Sequence, residues 1–143
     1  MADNTNPPRP VYRNIHITDI VHYRMPLAAI VSILHRISGA IMFLLLPFII
    51  WLFDTSVTSE ISYGQFTAAF TAGLGFIPGG VIKVVALGLI WAYLHHLIAG
   101  VRHLVSDVAH TVSKQQGKSS AIVTLVLSVA LTLVLGAKLF GAF

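Results

Sequence analysis

The sequence predicts an all-α integral membrane protein with three transmembrane helices, and three observations carry that prediction. Hydrophobic residues make up 56% of the 143 residues and charged residues only 10%, against roughly 25% charged in a soluble domain. Three apolar stretches each approach or exceed the roughly 20 residues that cross a hydrocarbon core. No stretch alternates apolar and polar residues as an amphipathic strand does, which disfavours a membrane β-barrel. The length holds a few helices and short loops and leaves no room for a separate soluble catalytic domain.

Residues 1–26 are polar and punctuated by Pro7, Pro8, Pro10 and Pro26. They read as an extended cytoplasmic arm with a short interfacial helix before Pro26, a residue suited to a first helical turn. The three-helix membrane domain then occupies residues 27–143. Its first span, 27–53, is apolar apart from Ser32, His35, Arg36 and Ser38 in its first half, and Pro47 marks a kink. Residues 54–78 form a loop carrying Asp54 and Glu60, in which GQFTAAFTAGLGF suits an interfacial helix.

The second span, 79–105, follows the breaker Pro78-Gly79-Gly80. It carries Lys83 near its start and His95, His96, Arg102 and His103 toward its end. A polar connector with Lys114, Gln115, Gln116, Gly117 and Lys118 leads to the third span, 119–141, which has no charge until Lys138.

Orientation follows from basic residues in the short loops. Arg9, Arg13 and Arg24 precede the first span, the first loop has no Lys or Arg, and Arg102, Lys114 and Lys118 flank the second. The positive-inside bias sets the N-terminus in the cytoplasm and the C-terminus on the periplasmic side. The net charge of +4 reflects this topology, not nucleic-acid binding. MADNTNPPRP has no apolar core for a cleaved signal peptide and too few arginines for a mitochondrial presequence, so a multi-pass protein of the bacterial inner membrane is expected. The absence of cysteine rules out disulfides and thiolate-bound iron-sulfur or zinc centres, leaving seven histidines as the main metal ligands.

Ser32, His35 and Arg36 enter from the same side to which His96 and His103 return, so two distant clusters share one leaflet. A charge deep in hydrocarbon costs roughly 2.5–3.5 kcal/mol, so such residues face protein, water or a ligand. At 100° per residue Ala92, His96, Ala99, Gly100 and His103 form one stripe, flanked by His95 and Arg102. Small residues let a flat group approach the backbone, and an imidazole there can ligate haem iron. His96 and His103 stand about 10 Å apart along the axis, so a haem with its iron at the deeper ring and its propionates at the shallower one fits, with Arg102, His103, His35 and Arg36 as partners for the carboxylates. Helix packing and hydrogen bonding between helices account for the same residues without a ligand, and spacing alone leaves His95 and His96 equal. Ser32 and Arg36, one turn apart, can donate to quinone carbonyls or serve a back-bond and a snorkelling cation.

The segment SILHRISG, Ser32 to Gly39, followed by HLIAGVRHLVSD, His96 to Asp107, resembles the two signature regions of the cytochrome b membrane-anchor subunit of bacterial succinate dehydrogenase. Arg9-Pro10 is similar to that family's N-terminal Arg-Pro element, although VYRNIHITDIVHYRM lacks the Ser-Pro-His element that often follows it.

The resemblance implies that His96, not His95, is the axial ligand of haem b, that His35, Arg36 and His103 serve its propionates, and that Ser32 and Arg36 line the quinone site. It implies a succinate:quinone oxidoreductase, respiratory complex II, in which this subunit is not catalytic alone. Its partners would be a flavoprotein, an iron-sulfur subunit and a second small membrane anchor in the same bilayer. Electrons from succinate would reach ubiquinone, and the one haem would be shared with the partner anchor. Alternatives are a fumarate reductase-type anchor, a haem-free anchor, and a haem-free transport or assembly protein.

Overall fold

In the computed structural model, which describes residues 15–110 and 112–142, the chain is all-helical. Arg9-Pro10 and Arg13 lie outside the described residues. The elements are α1 (Ile17–His22), α2 (Leu27–Leu44), α3 (Leu46–Val57), α4 (Glu60–Thr71), α5 (Gly79–Ala109) and α6 (Lys114–Leu139). Three of them, α2, α5 and α6, are long and apolar enough to cross a membrane. At 1.5 Å per residue they measure about 27, 46 and 39 Å, against a hydrocarbon core of about 30 Å.

The first apolar stretch is divided rather than continuous. Leu45 sits at φ −92°, ψ 6° between α2 and α3, two residues before Pro47. Proline has no N–H to give and its ring crowds the preceding turn, so the helix breaks there and restarts with Pro47 in the first turn of α3. The loop after α3 contains α4, started by Ser59, whose Oγ accepts from the Ser62 N–H at 3.1 Å. Gly73, at φ +103°, then turns the chain; a Cβ there would stand 2.2 Å from the Ile77 carbonyl oxygen, so the turn requires glycine.

The last helix begins at Lys114, ahead of its apolar run. Ser113 and Gln116 form a capping box: the Gln116 N–H donates to Ser113 Oγ at 3.2 Å, and the Ser113 N–H donates to Gln116 Oε1 at 2.8 Å. A tight connection at His110, in the left-handed conformation at φ 54°, separates α5 from α6 and makes them antiparallel neighbours.

Helix α5 packs along both α2 and α6, and α2 also touches α6. Their common contact is built from Val31, Ala99 and Ala121, each 0% exposed. Small side chains dominate because a bilayer offers no hydrophobic drive to separate helices from lipid; close backbone approach and dispersion hold them instead. Along α6 the buried residues are Ala121, Thr124, Ser128, Thr132 and Gly136, a stripe at three- and four-residue spacing. The remaining surface is lipid-like, with Phe43, Leu44, Val126 and Leu133 exposed.

Candidate functional site

His35 and His96 meet where α2 crosses α5. Their rings stack at 4.0 Å between centroids with planes 14° apart. His103, two turns along α5 from His96, tilts against His35 at 5.2 Å. Three of the predicted haem-side residues therefore form one imidazole cluster.

Gly39 makes the crossing close enough, and Gly100 lies against the opposite histidine at ordinary contact distance. A Cβ on Gly39 would stand 2.9 Å from His96 Cε1, nearer than neighbouring side chains tolerate, and one on Gly100 would stand 3.5 Å from His35 Nε2. Each helix thus presents bare backbone to the other's histidine.

His96 Nδ1 lies 3.0 Å from the His35 carbonyl oxygen and 3.2 Å from Ser38 Oγ. A carbonyl only accepts, so Nδ1 carries the proton and Nε2 holds the lone pair. Ser38 Oγ donates to the same His35 carbonyl at 2.8 Å, leaving its lone pairs to accept from Nδ1–H. No hydrogen bond among the described residues engages Nε2. An imidazole with one nitrogen tied to a backbone carbonyl and the other free is the arrangement of a metal-ligating histidine oriented from behind.

His95 points the other way. It is 0% exposed, stacks on Trp91 at 5.4 Å, and its Nδ1 lies 3.3 Å from Ser128 Oγ on α6. His95 therefore ties α5 to α6, and its Nε2 is buried without a hydrogen-bond partner among the described residues.

Arg102, grouped with His103 from sequence, also turns to α6. Its Nε donates to Ser120 Oγ at 3.0 Å and its Nη2 to the Gly117 carbonyl at 3.4 Å. Ser32 is half-buried and Arg36 exposed, one turn apart on α2. Neither has a hydrogen-bond partner among the described residues, so a hydroxyl and a guanidinium remain available to a ligand.

The donor set fits a haem better than a bare ion. Among the described residues no three His, Cys, Asp or Glu side chains converge to hold a metal. Porphyrin brings four equatorial nitrogens of its own, so a single oriented imidazole is all this chain must give. Sequence reasoning missed Ser38 as the anchor of His96 and Ser128 as the partner of His95. The first was signalled by its position three residues after His35; the second had no signal, because a serine in an apolar run has no assignable neighbour.

Comparison with known proteins gives the same direction. Residues 5–135 match the family described as the succinate dehydrogenase/fumarate reductase transmembrane subunit. The succinate dehydrogenase cytochrome b556 subunit of Paracoccus denitrificans is 31% identical over 131 residues, 92% of each chain. The protein of that name from Coxiella burnetii is 32% identical over 110 residues, 77% of this chain and 83% of that one. With a family match across residues 5–135 and two relatives above 30% identity aligned over more than three quarters of the chain, this chain belongs to the succinate dehydrogenase/fumarate reductase transmembrane subunit family.

Proposed function

We propose that this chain is the large membrane anchor of a bacterial succinate:quinone oxidoreductase, that His96 is an axial ligand of its b-type haem, and that Ser32 and Arg36 contribute to its quinone site. The observation that carries the haem reading is the polarity of His96: Nδ1 is committed to the His35 carbonyl, and Nε2 is left with its lone pair in a partly exposed ring that the bare backbone of Gly39 leaves room for. The name cytochrome b556 belongs to the two relatives and supports the same ligand class here.

In this reading His96 Nε2 binds iron, and the His35 carbonyl and Ser38 hold the imidazole in the ligating tautomer and increase its basicity. His35, Arg36 and His103 form the cationic or proton-donating end that receives the propionate carboxylates. When bound, haem b supplies a one-electron relay whose potential the protein tunes through ligand, hydrogen bonds and burial. Because this chain nominates one ligand, the second imidazole comes from a partner anchor, and the shared cofactor joins two chains.

Ser32 and Arg36 donate to the carbonyl oxygens of ubiquinone, which become more basic as the ring is reduced, so their bonds strengthen as the reaction proceeds. The electrons originate in a flavoprotein and pass through an iron-sulfur subunit at the cytoplasmic face. The N-terminus is cytoplasmic and the C-terminus periplasmic, in the bacterial inner membrane, by the distribution of Arg and Lys in the loops.

The test is a dithionite-reduced minus oxidised spectrum of the detergent-purified complex, with every co-purifying subunit identified. Sharp b-type bands together with a flavoprotein and an iron-sulfur partner are expected. Absence of both would return the histidines to a packing role.

A further inference from the structure

On the far side of α5 from His96 lies a groove that the haem and quinone readings do not use. Nine residues separate His96 from Val105, which at 100° each puts them about 180° apart around the helix. The groove runs between α5 and α6, encloses about 480 Å³, and has apolar walls that include Ile98, Val101, Val105 and Val123. Its polar end holds Arg102 and Ser120. Among the described residues no carboxylate lines it, and Arg102 has no acidic partner. Its guanidinium is fixed instead by two neutral acceptors on α6, leaving donors of its fork unspent.

A partly buried guanidinium without a counter-ion is unfavourable. It stands near the tight connection between α5 and α6, where Lys114 and Lys118 are exposed, and so near the membrane interface whichever way the chain is oriented. We propose that this groove binds one anionic membrane phospholipid, its phosphate accepting from the Arg102 fork and an acyl chain lying along the valine-rich wall between α5 and α6. Arginine matches phosphate through paired donors, and the lysines favour an anionic over a zwitterionic headgroup. The proposal is independent of the haem assignment.

Native mass spectrometry of the intact complex, released from membranes into delipidating detergent and then offered phosphatidylglycerol or phosphatidylcholine, tests it. The unmodified complex should retain phosphatidylglycerol in preference to phosphatidylcholine. Arg102→Gln should lower retention about ten-fold, the weight of one charge-assisted contact of about 1.4 kcal/mol, and Arg102→Lys should lower it less. Equal retention by all three proteins, or no headgroup preference, overturns the proposal. Should Arg102→Gln fail to assemble, a photocrosslinking residue at Val105 in the otherwise unmodified complex decides: adducts with phospholipid support the site, and adducts with a protein subunit or with quinone overturn it.

Discussion

His35 touches His96 twice, once with its ring, stacked at 4.0 Å, and once with its carbonyl, 3.0 Å from Nδ1. The ring contact fixes the plane of the His96 imidazole and the carbonyl fixes its rotation and tautomer. A side chain with several χ1 and χ2 options is thereby held in one, and the entropy of ordering it is spent before any ligand arrives.

Adjacent histidines with opposite surroundings should therefore respond differently to truncation. His96→Ala should abolish the b-type bands of the assembled complex. His95→Ala should leave them, because His95 engages Ser128 and Trp91 rather than the open cluster. It should instead lower the thermal midpoint, at a cost of about 2–4 kcal/mol, since a fully buried ring is removed and Ser128 keeps only its bond to the Leu125 carbonyl. A reduced-minus-oxidised spectrum and a melting curve on each variant separate the two. Equal haem loss in both would mean that His96 is not the ligand that distinguishes them.

Gly39 sets the clearance beneath the ligand. Its absent Cβ would stand 2.9 Å from His96 Cε1, whereas a Cβ on Gly88 of α5 meets nothing within 4 Å. Alanine is preferred over glycine in a helix by about 1 kcal/mol, so Gly88→Ala should be neutral or mildly stabilising. Gly39→Ala should displace the imidazole and cause partial haem loss or a shifted band, and Gly39→Val should cause greater loss. An unchanged spectrum in Gly39→Val would mean that α2 and α5 cross less closely than the stacked rings require.

The three-helix class was legible because a bilayer leaves the backbone few choices and writes them as long apolar runs. The cluster of His35, His96 and His103 was legible because two motifs met at one depth. Helix ends were less so: α6 starts at a Ser113–Gln116 capping box, a polar signal standing outside the apolar run that drew attention. The direction of Arg102 was not legible either. Its position beside His103 suggests the haem side, but the acceptors that hold it, Ser120 and the Gly117 carbonyl, lie on a helix whose rotation the sequence leaves open.

That rotation is defined by the small-residue stripe of α6, and it makes a prediction of its own. Ser128 is 0% exposed, whereas Val126, two residues away, is 63% exposed. Ser128→Leu should force α5 and α6 apart and strand His95, costing about 1–3 kcal/mol by overpacking alone. Val126→Leu should change stability by less than about 0.5 kcal/mol. Melting curves in one detergent compare them directly, and similar midpoints would place α6 in a different rotation.

Ser32 and Arg36 are assigned to quinone, so their loss should be read in a different assay. Ser32→Ala and Arg36→Leu should each slow succinate-to-quinone transfer by about ten-fold or more, the weight of a lost donor to a developing oxyanion. Oxidation of succinate with a dye acceptor at the flavoprotein should stay unchanged in both, and the haem content should stay unchanged in Ser32→Ala, whereas Arg36→Leu also removes a propionate partner and should loosen haem retention. If dye and quinone activities fall together, the residues serve assembly rather than quinone.

Topology can be tested without building a cysteine-free background, since the native chain contains no cysteine. Ser59→Cys lies at the exposed start of α4, between the first two spans, and Gln115→Cys in the exposed first turn of α6, between the second and third. With the N-terminus inside, an impermeant maleimide added to intact spheroplasts should label the Ser59→Cys variant and spare the Gln115→Cys variant, and lysis should expose the second thiol. The reverse pattern would invert the orientation and move the His35–His96–His103 cluster to the periplasmic leaflet, away from any cytoplasmic electron donor. The test therefore bears on function as well as on topology: the imidazole cluster and the Ser32–Arg36 pair sit on the same end of the bundle as Gln115 in the first turn of α6, and a cytoplasmic iron-sulfur subunit can reach the quinone site only if that end faces it.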